Sequence, residues 1–296
     1  MTCKGVMRYG VWTALSPLEK KNIEPLLAHP RFTFTHADIS VWDGMEKALL
    51  WADRVLHMAA LLGLKFVFAH PFDVLSQNIR STETLLTKAA DLAHPLQILI
   101  ASSSCVYGSY KNSVGEDENA AMMIFSKTYL QETYATSKIV AEVMALCMSQ
   151  HPHLHISIAR FFNIIGPSQT GRYGMVVPSF VTQALQNAPI TVYGTGQQTR
   201  SFCSVDDAID ATNRLLSSPK CYGKVYNIGS PHEISILDLA KLVKRKTQSR
   251  SDIVFVPYKE AYGIDYTEIE RRCPCIDKLK KDTGFEIHHT LDATLD

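Results

Sequence analysis

No apolar run in the 296-residue chain approaches the ~20 residues that a membrane-spanning helix needs, and Met1 to Ser16 lacks the apolar core of a signal peptide. Neither sign of charge prevails. Thirty Lys and Arg against twenty-nine Asp and Glu leave a formal charge of +1, which removes the electrostatic reason to expect nucleic acid or an anionic membrane surface as a partner. An anionic ligand has to be held locally. A disulfide framework is missing as well: Cys3, Cys105, Cys147, Cys203, Cys221, Cys273 and Cys275 are odd in number and scattered, in a chain long enough to bury a core without staples. That usage fits a reducing cytosol, and a cytoplasmic protein is expected. Cys273-Pro274-Cys275 is too closely spaced for a zinc pair and has no matching His or Cys pair elsewhere, so no metal site is expected. Internal repeats and low-complexity linkers are also lacking, which points to one compact body.

What the chain does contain is an alternation of short strands and helices. The first sixteen residues show no period and read as irregular. Phe32 to Phe34 reads as a strand, Asp43 to Trp51 as a helix, Arg54 to Met58 as a buried strand and Phe72 to Leu92 as a longer helix that stops before Pro95. Gln97 to Ala101 is the next strand, Tyr129 to Met148 a helix with Ile139, Val143 and Leu146 as its buried face, and His155 to Arg160 a further strand. This order indicates an α/β fold with a parallel sheet covered on both faces. Beyond Phe161 the alternation loosens. Helices are expected at Ser179 to Leu185, Asp206 to Leu216 and Ile236 to Lys244, the last opened by a capping box of Ser235 and Asp238, and strands at Val225 to Ile228 and Ile253 to Val256.

Chemistry concentrates at Tyr134-Ala135-Thr136-Ser137-Lys138, because a tyrosine and a lysine four residues apart project from one face of a helix. A phenol ordinarily loses its proton near pH ~10, and a neighbouring ammonium favours the phenolate, so the pair suits a base working closer to neutrality. In open parallel sheets ligands sit outside the carboxyl ends of the strands. Asp38, Met58-Ala59-Ala60, Ser102 to Ser104 and Phe161-Phe162-Asn163 all fall at such ends, although turn chemistry alone also places polar residues there.

Together these segments resemble the extended short-chain dehydrogenase/reductase family, in particular its NAD-dependent nucleotide-sugar epimerases, dehydratases and decarboxylases. The resemblance spans nearly everything after Ser16 and rests on Asp38-Ile39, His57 to Ala60, Asn78, Ser103 five residues before Gly108, Tyr134 with Lys138, Arg160 to Asn163, Gly194 to Arg200, Arg271 to Pro274 and Thr283 to Phe285. It implies a Rossmann-type doubly wound parallel sheet over residues 1–163 and a smaller substrate-binding region over 164–296, with about 205–229 returning to the first. It also implies NAD as cofactor and a nucleotide-sugar substrate, UDP-linked. Tyr134 looks like the base toward a sugar hydroxyl, Lys138 the group that lowers its pKa and holds the nicotinamide ribose, and Ser103 the hydrogen-bonding partner of the reacting oxygen. Asp38 and Ile39 look like adenine contacts, Met58, Ala59, Ala60 and Asn78 like the cofactor lining, and Phe161 like a neighbour of the nicotinamide. On the substrate side, Asn163 and Arg200 would meet the diphosphate, Tyr193 the base and Arg272 the phosphates. Family members pair as homodimers through two long helices, one carrying the Tyr/Lys pair; the Val140, Met144 and Cys147 face is compatible with that and equally with core.

Two departures stand out. The family opens with a strand and a Gly-rich turn whose backbone holds the dinucleotide pyrophosphate, and no such motif occurs here; Lys4 to Gly10 lacks the glycine spacing and the preceding strand. The chain thus reads as N-terminally incomplete by about one strand-helix-strand unit. The second departure is Cys105, two positions after Ser103, where related decarboxylases and dehydratases place an acid; dehydratases add another at the position of Ser104. Without those carboxylates the pattern leans to epimerisation at the sugar 4-position through a keto intermediate, with decarboxylation of a nucleotide-linked glucuronic acid, or a nucleotide-sugar-binding relative without activity, as the alternatives.

Overall fold

The computed structural model describes residues 9–12, 17–108, 117–122, 132–169, 171, 174–262 and 268–296. In chain order the first half comprises β1 (Tyr9–Trp12), α1 (Pro17–Leu27), β2 (Phe32–Thr35), α2 (Met45–Trp51), β3 (Arg54–His57), α3 (Leu64–Ala69), α4 (Pro71–Ala90), β4 (Leu96–Ser103), α5 (Thr133–Met148) and β5 (Leu154–Phe161). The second half comprises β6 (Ile164–Ile165), α6 (Val176–Leu185), β7 (Ile190–Tyr193), β8 (Thr199–Ser201), β9 (Cys203–Ser204), α7 (Val205–Ser217), β10 (Lys224–Ile228), β11 (Glu233–Ser235), α8 (Ile236–Lys246), β12 (Ile253–Val256), α9 (Tyr258–Tyr262), β13 (Arg271–Arg272), α10 (Asp277–Thr283) and α11 (Leu291–Thr294).

The centre is a four-stranded parallel sheet in the order β10-β5-β4-β3. Alternation along β4 decides which core each side chain enters. Ile98 and Ile100 point to a layer built from α2, α4 and α5, where they meet Leu49, Leu85, Ala141 and Ala145, whereas Leu99 points the other way to Ala208, Ala211 and Leu215 of α7. A third core, with Phe180, Ile190, Val192 and Leu239, packs α6 and α8 on β7. Short parallel strands of Ile, Leu and Val with helices on both faces are what a buried parallel sheet requires.

Two expectations are corrected. Tyr9–Trp12, expected to be irregular, is a strand in parallel register with Phe32–Thr35; the hydrogen-bonding partner lies more than twenty residues on, beyond the reach of a local pattern. The rest of the first sixteen residues lies outside the described part, as do Tyr129 to Gln131 of the expected catalytic helix. On α5 the buried face is not Ile139, Val143 and Leu146. Val143 is 50 % and Leu146 37 % exposed, and the buried positions are Ala135, Ser137, Lys138, Ala141, Glu142 and Ala145. Small residues let α5 lie close to the sheet, while polar groups inside the contact carry hydrogen bonds, so Val143 and Leu146 fall outside and Ile139 packs at the margin against Val106, Tyr107 and Phe162.

The sheet is open on one side. Among the described residues β3 pairs only with β4, and β1 with β2 forms a separate ribbon. Arg54 of β3 reaches Ser217 of α7, so Leu56, two residues on and on the same face, looks toward the α7 side, where it is 48 % exposed.

Candidate active site

Three successive residues at the carboxyl end of β4 meet three residues of α5. The Ala101 carbonyl accepts from Lys138 Nζ at 2.7 Å, the Ser102 hydroxyl donates to the Glu142 carboxylate, and the Ser103 hydroxyl hydrogen-bonds the Tyr134 phenol. Ser103 also caps the 3-10 turn over Ser104 to Tyr107, accepting from the Cys105 amide at 3.2 Å. Helix periodicity places Tyr134, Lys138 and Glu142 one above another, and the carboxyl end of β4 supplies a partner for each.

The electrostatics differ from the expectation that Lys138 lowers the Tyr134 pKa. Burial pushes the phenol above its ordinary value, the neighbouring Cys105 adds to that, and only the Ser103 hydrogen bond works the other way. Lys138, also buried, is brought down to about 8, with Glu142 opposing the fall. Its ammonium lies 5.8 Å from the centre of the Tyr134 ring and is engaged by Ala101, so desolvation outweighs attraction. In the free protein Tyr134 is therefore a phenol.

His57, at the end of β3, is buried beside this group. The Thr82 hydroxyl donates to the Asn78 carbonyl, so the 3.1 Å contact between Thr82 and His57 Nε2 makes the imidazole the donor. Burial, and then the positive charge of Lys138, lower His57 to about 3. The unfolded chain binds a proton near pH ~6.5 that the folded chain refuses, so stability is complete above that value and falls as pH drops toward 3. His57→Gln, which keeps a neutral donor for Thr82, is expected to flatten the dependence of the melting temperature on pH between about 6.5 and 3. A profile identical to wild type would show that His57 is not the group being titrated.

A cavity of about 690 Å³ lies over the Tyr134 phenol. It brings together Ser103, Tyr134, Phe161, Asn163, Tyr193, Arg200 and Arg272, with Cys105 among them. Arg200 and Arg272 are register partners on the parallel strands β8 and β13, so both face the same side of that small sheet. Arg200 donates to the carbonyls of Thr199 and Ile269 at 2.7 and 2.8 Å and pairs with Glu268, a carboxylate that no sequence pattern marked. The Arg272 guanidinium reaches Cys105 Sγ at 3.5 Å. Asn163 is held through a 2.8 Å bond to the Ser201 carbonyl. Beside Tyr193, Gly194 has φ +67° and so little room that a Cβ there would lie 2.5 Å from the Tyr258 ring; Tyr258 in turn receives Gln198.

The remaining expected cofactor residues lie away from that cavity. Asp38 and Ile39 follow β2, and Met58, Ala59 and Ala60 follow β3. Desolvation works against the Asp38 charge, but hydrogen bonds from the Ser40 hydroxyl and amide and from Gln77 outweigh it and hold the carboxyl below its usual range. Asn78 has a structural part to play in the scaffold. It is buried, donates to the Leu61 carbonyl and the Ser137 hydroxyl, and accepts from the Leu61 amide, which commits its amide hydrogens to tying the loop after β3 to α5.

The model of the NAD dependent epimerase/dehydratase family matches residues 4–229. The chain belongs to the NAD-dependent epimerase/dehydratase family. It is 35 % identical over 250 residues to a UDP-N-acetyl-alpha-D-glucosaminuronate decarboxylase of Bacillus cytotoxicus, covering 83 % of this chain and 76 % of the relative. It is 30 % identical to UDP-glucuronic acid decarboxylase 1 of Danio rerio over 90 % of this chain but only 60 % of that protein. A solved UDP-glucuronic acid 4-epimerase from Bacillus cereus, in complex with UDP-glucuronic acid and NAD, superimposes with a TM-score of 0.85 at 26 % identity, over 97 % of this chain and 88 % of that one. The family is NAD-dependent and its fold is Rossmann-type, in agreement with the sheet described above. For this family member the residues present fit the cofactor in part. Ser103 and Tyr134 line the cavity, Lys138 is buried one helical turn from Tyr134 and Asp38 stands after a strand end, but the Gly-rich turn that would cradle a pyrophosphate is not found among the described residues.

Proposed function

We propose that this chain is a nucleotide-sugar 4-epimerase whose substrate is a UDP-linked uronic acid. The observation that carries the reading is the Cys105 thiol, set against Arg272 in the wall of the cavity that holds Tyr134. Decarboxylation with a carboxylate acid at that position is not available to a thiol, whereas 4-epimerisation needs only a group that takes and returns the hydroxyl proton. Tyr134 is that group, Ser103 hydrogen-bonds the reacting oxygen, and Lys138 would hold the nicotinamide ribose. When bound, NAD supplies the hydride acceptor and donor. Arg200 and Arg272 offer guanidinium forks for the diphosphate and for a sugar carboxylate, and Phe161 and Asn163 line the floor between them. Residues 1–163 form the cofactor half and 164–296 mainly the substrate half, with about 205–229 as the exception, since α7 packs on β4 and β10 joins the central sheet beside β5. The exposed Val143 and Leu146 on α5 support a homodimer, and the scattered thiols support a cytoplasmic setting.

A second reading, decarboxylation of the same substrate, is favoured by relatives named decarboxylases at 30 and 35 % identity. Incubation with UDP-glucuronic acid and NAD separates the two. Formation of the 4-epimer without carbon dioxide supports the first, release of carbon dioxide with a UDP-pentose supports the second, and absence of either product refutes both.

Arg200→Ala is expected to raise KM for the UDP-sugar about 10- to 100-fold with little change in kcat, because a charge-assisted contact to phosphate is typically worth ~1.5 to 3 kcal/mol. The unpaired Glu268 left behind adds repulsion in the same direction. Equal UDP affinity of variant and wild type by calorimetry would refute the diphosphate role.

A further inference from the structure

The Glu142–Arg160 ion pair lies almost wholly inside the protein, with side chains 1 % and 4 % exposed. It is bidentate, Arg160 Nε and Nη2 reaching the carboxylate at 2.8 and 2.7 Å. Stability is a poor reason for such a pair, since taking two charges out of water costs about as much as their attraction returns, and apolar residues of similar size often serve as well. Its placement gives a better reason. The same carboxylate receives the Ser102 hydroxyl, and the same guanidinium donates to Tyr107 Oη at 2.9 Å and lies 4.8 Å over the Tyr107 ring. Ser102 and Tyr107 are the two ends of the segment that presents Ser103 and Cys105 to the cavity. Glu142 also stands one helical turn from Lys138, and one further turn from Tyr134.

We propose that Glu142, with Arg160 as its partner, is a positioning residue that brackets the Ser102 to Tyr107 segment and fixes Ser103, Tyr134 and Lys138 relative to one another. The ion pair holds both ends of the segment while the carboxylate keeps positive charge on Lys138. Other ionisable groups bear on the same region from each element packed there: His57 from β3, Tyr107 and Cys105 from the turn after β4, Tyr134 from α5 itself and Glu118 from the segment over residues 117–122, whose carbonyl also accepts from Arg160 at 3.3 Å. Glu142 is the anion that opposes the loss of the Lys138 proton.

The turnover part of the test rests on the function proposed above, and the titration part does not. The double variant Glu142→Met with Arg160→Met removes both charges while keeping bulk, and it is expected to melt within a few degrees of wild type. Its kcat should fall about 10- to 100-fold with KM little changed, since small misplacements of reacting groups cost that much. Wild-type kcat in a folded double variant would show that the pair only fills space and would overturn the proposal. In Glu142→Gln, the Lys138 pKa followed by NMR of 13Cε-labelled lysine should drop by about one unit, and the alkaline limb of the kcat profile should move with it. An unchanged titration also overturns it. Should either variant fail to fold, Ser102→Ala leaves the ion pair intact, and undiminished kcat there is the refuting result. If wild type proves inactive on UDP-uronic acids, the functional reading fails and the lysine titration alone decides the role of Glu142.

Discussion

Tyr134→Phe should lower turnover by about 10² or more and leave the melting temperature essentially unchanged. The substitution deletes one oxygen, the cavity-lining phenol that is hydrogen-bonded to Ser103 and proposed to exchange the proton of a sugar hydroxyl. The ring stays, so the cavity keeps its shape. Initial rates of UDP-uronic acid epimerisation measure the effect, and a variant that keeps more than about a tenth of the wild-type rate would remove Tyr134 from the role of base. The raised pKa of the phenol adds a pH signature. With the phenolate as the proposed base, the wild-type rate should climb with pH, and the climb should end near pH 8, where Lys138 is half deprotonated.

Isothermal titration of the 296-residue chain with NAD should show binding about 10³-fold or more weaker than a Rossmann protein with a complete phosphate cradle achieves. On the function proposed above, the two ends of a dinucleotide would meet Asp38 and Tyr134 with Lys138, but a pyrophosphate between them needs several backbone donors at a glycine turn and helix N-terminus, each worth ~1.5 to 3 kcal/mol. The polypeptide should accordingly purify without nicotinamide absorbance and turn over only at high added NAD. Micromolar affinity would overturn this and assign phosphate binding to another segment, with Lys4 to Gly10 the first to mutate.

Much of the fold was legible in the sequence because strands such as Ile253–Val256 and helices such as Ile236–Lys246 carry local patterns and caps, the Ser235 hydroxyl accepting from the Asp238 amide as the capping box implies. Tyr9–Trp12 was not legible, since its only support is a distant parallel partner. The α5 face was misread for the opposite reason: its apolar residues are strong signals, yet the helix buries alanines, a lysine and a glutamate whose partners lie on other elements. Glu142 and Glu268 escaped notice for the same cause. A carboxylate that answers an arginine on another element, 18 positions away for Glu142 and 68 for Glu268, leaves no periodic trace, whereas Tyr134 and Lys138, paired within one helix, do.

The open side of the sheet has a consequence for handling the protein. Among the described residues the outer edge of β3 has no strand partner; such an edge is a template on which another chain can add, and the half-exposed Leu56 would give the addition an apolar seat. β3 is kept from acting this way by being only four residues long and by beginning with Arg54, whose charge is held at the strand by Gln97 and Ser217. Replacing Arg54 with an apolar side chain is therefore expected to raise the tendency of this edge to aggregate, which light scattering at rising protein concentration would register.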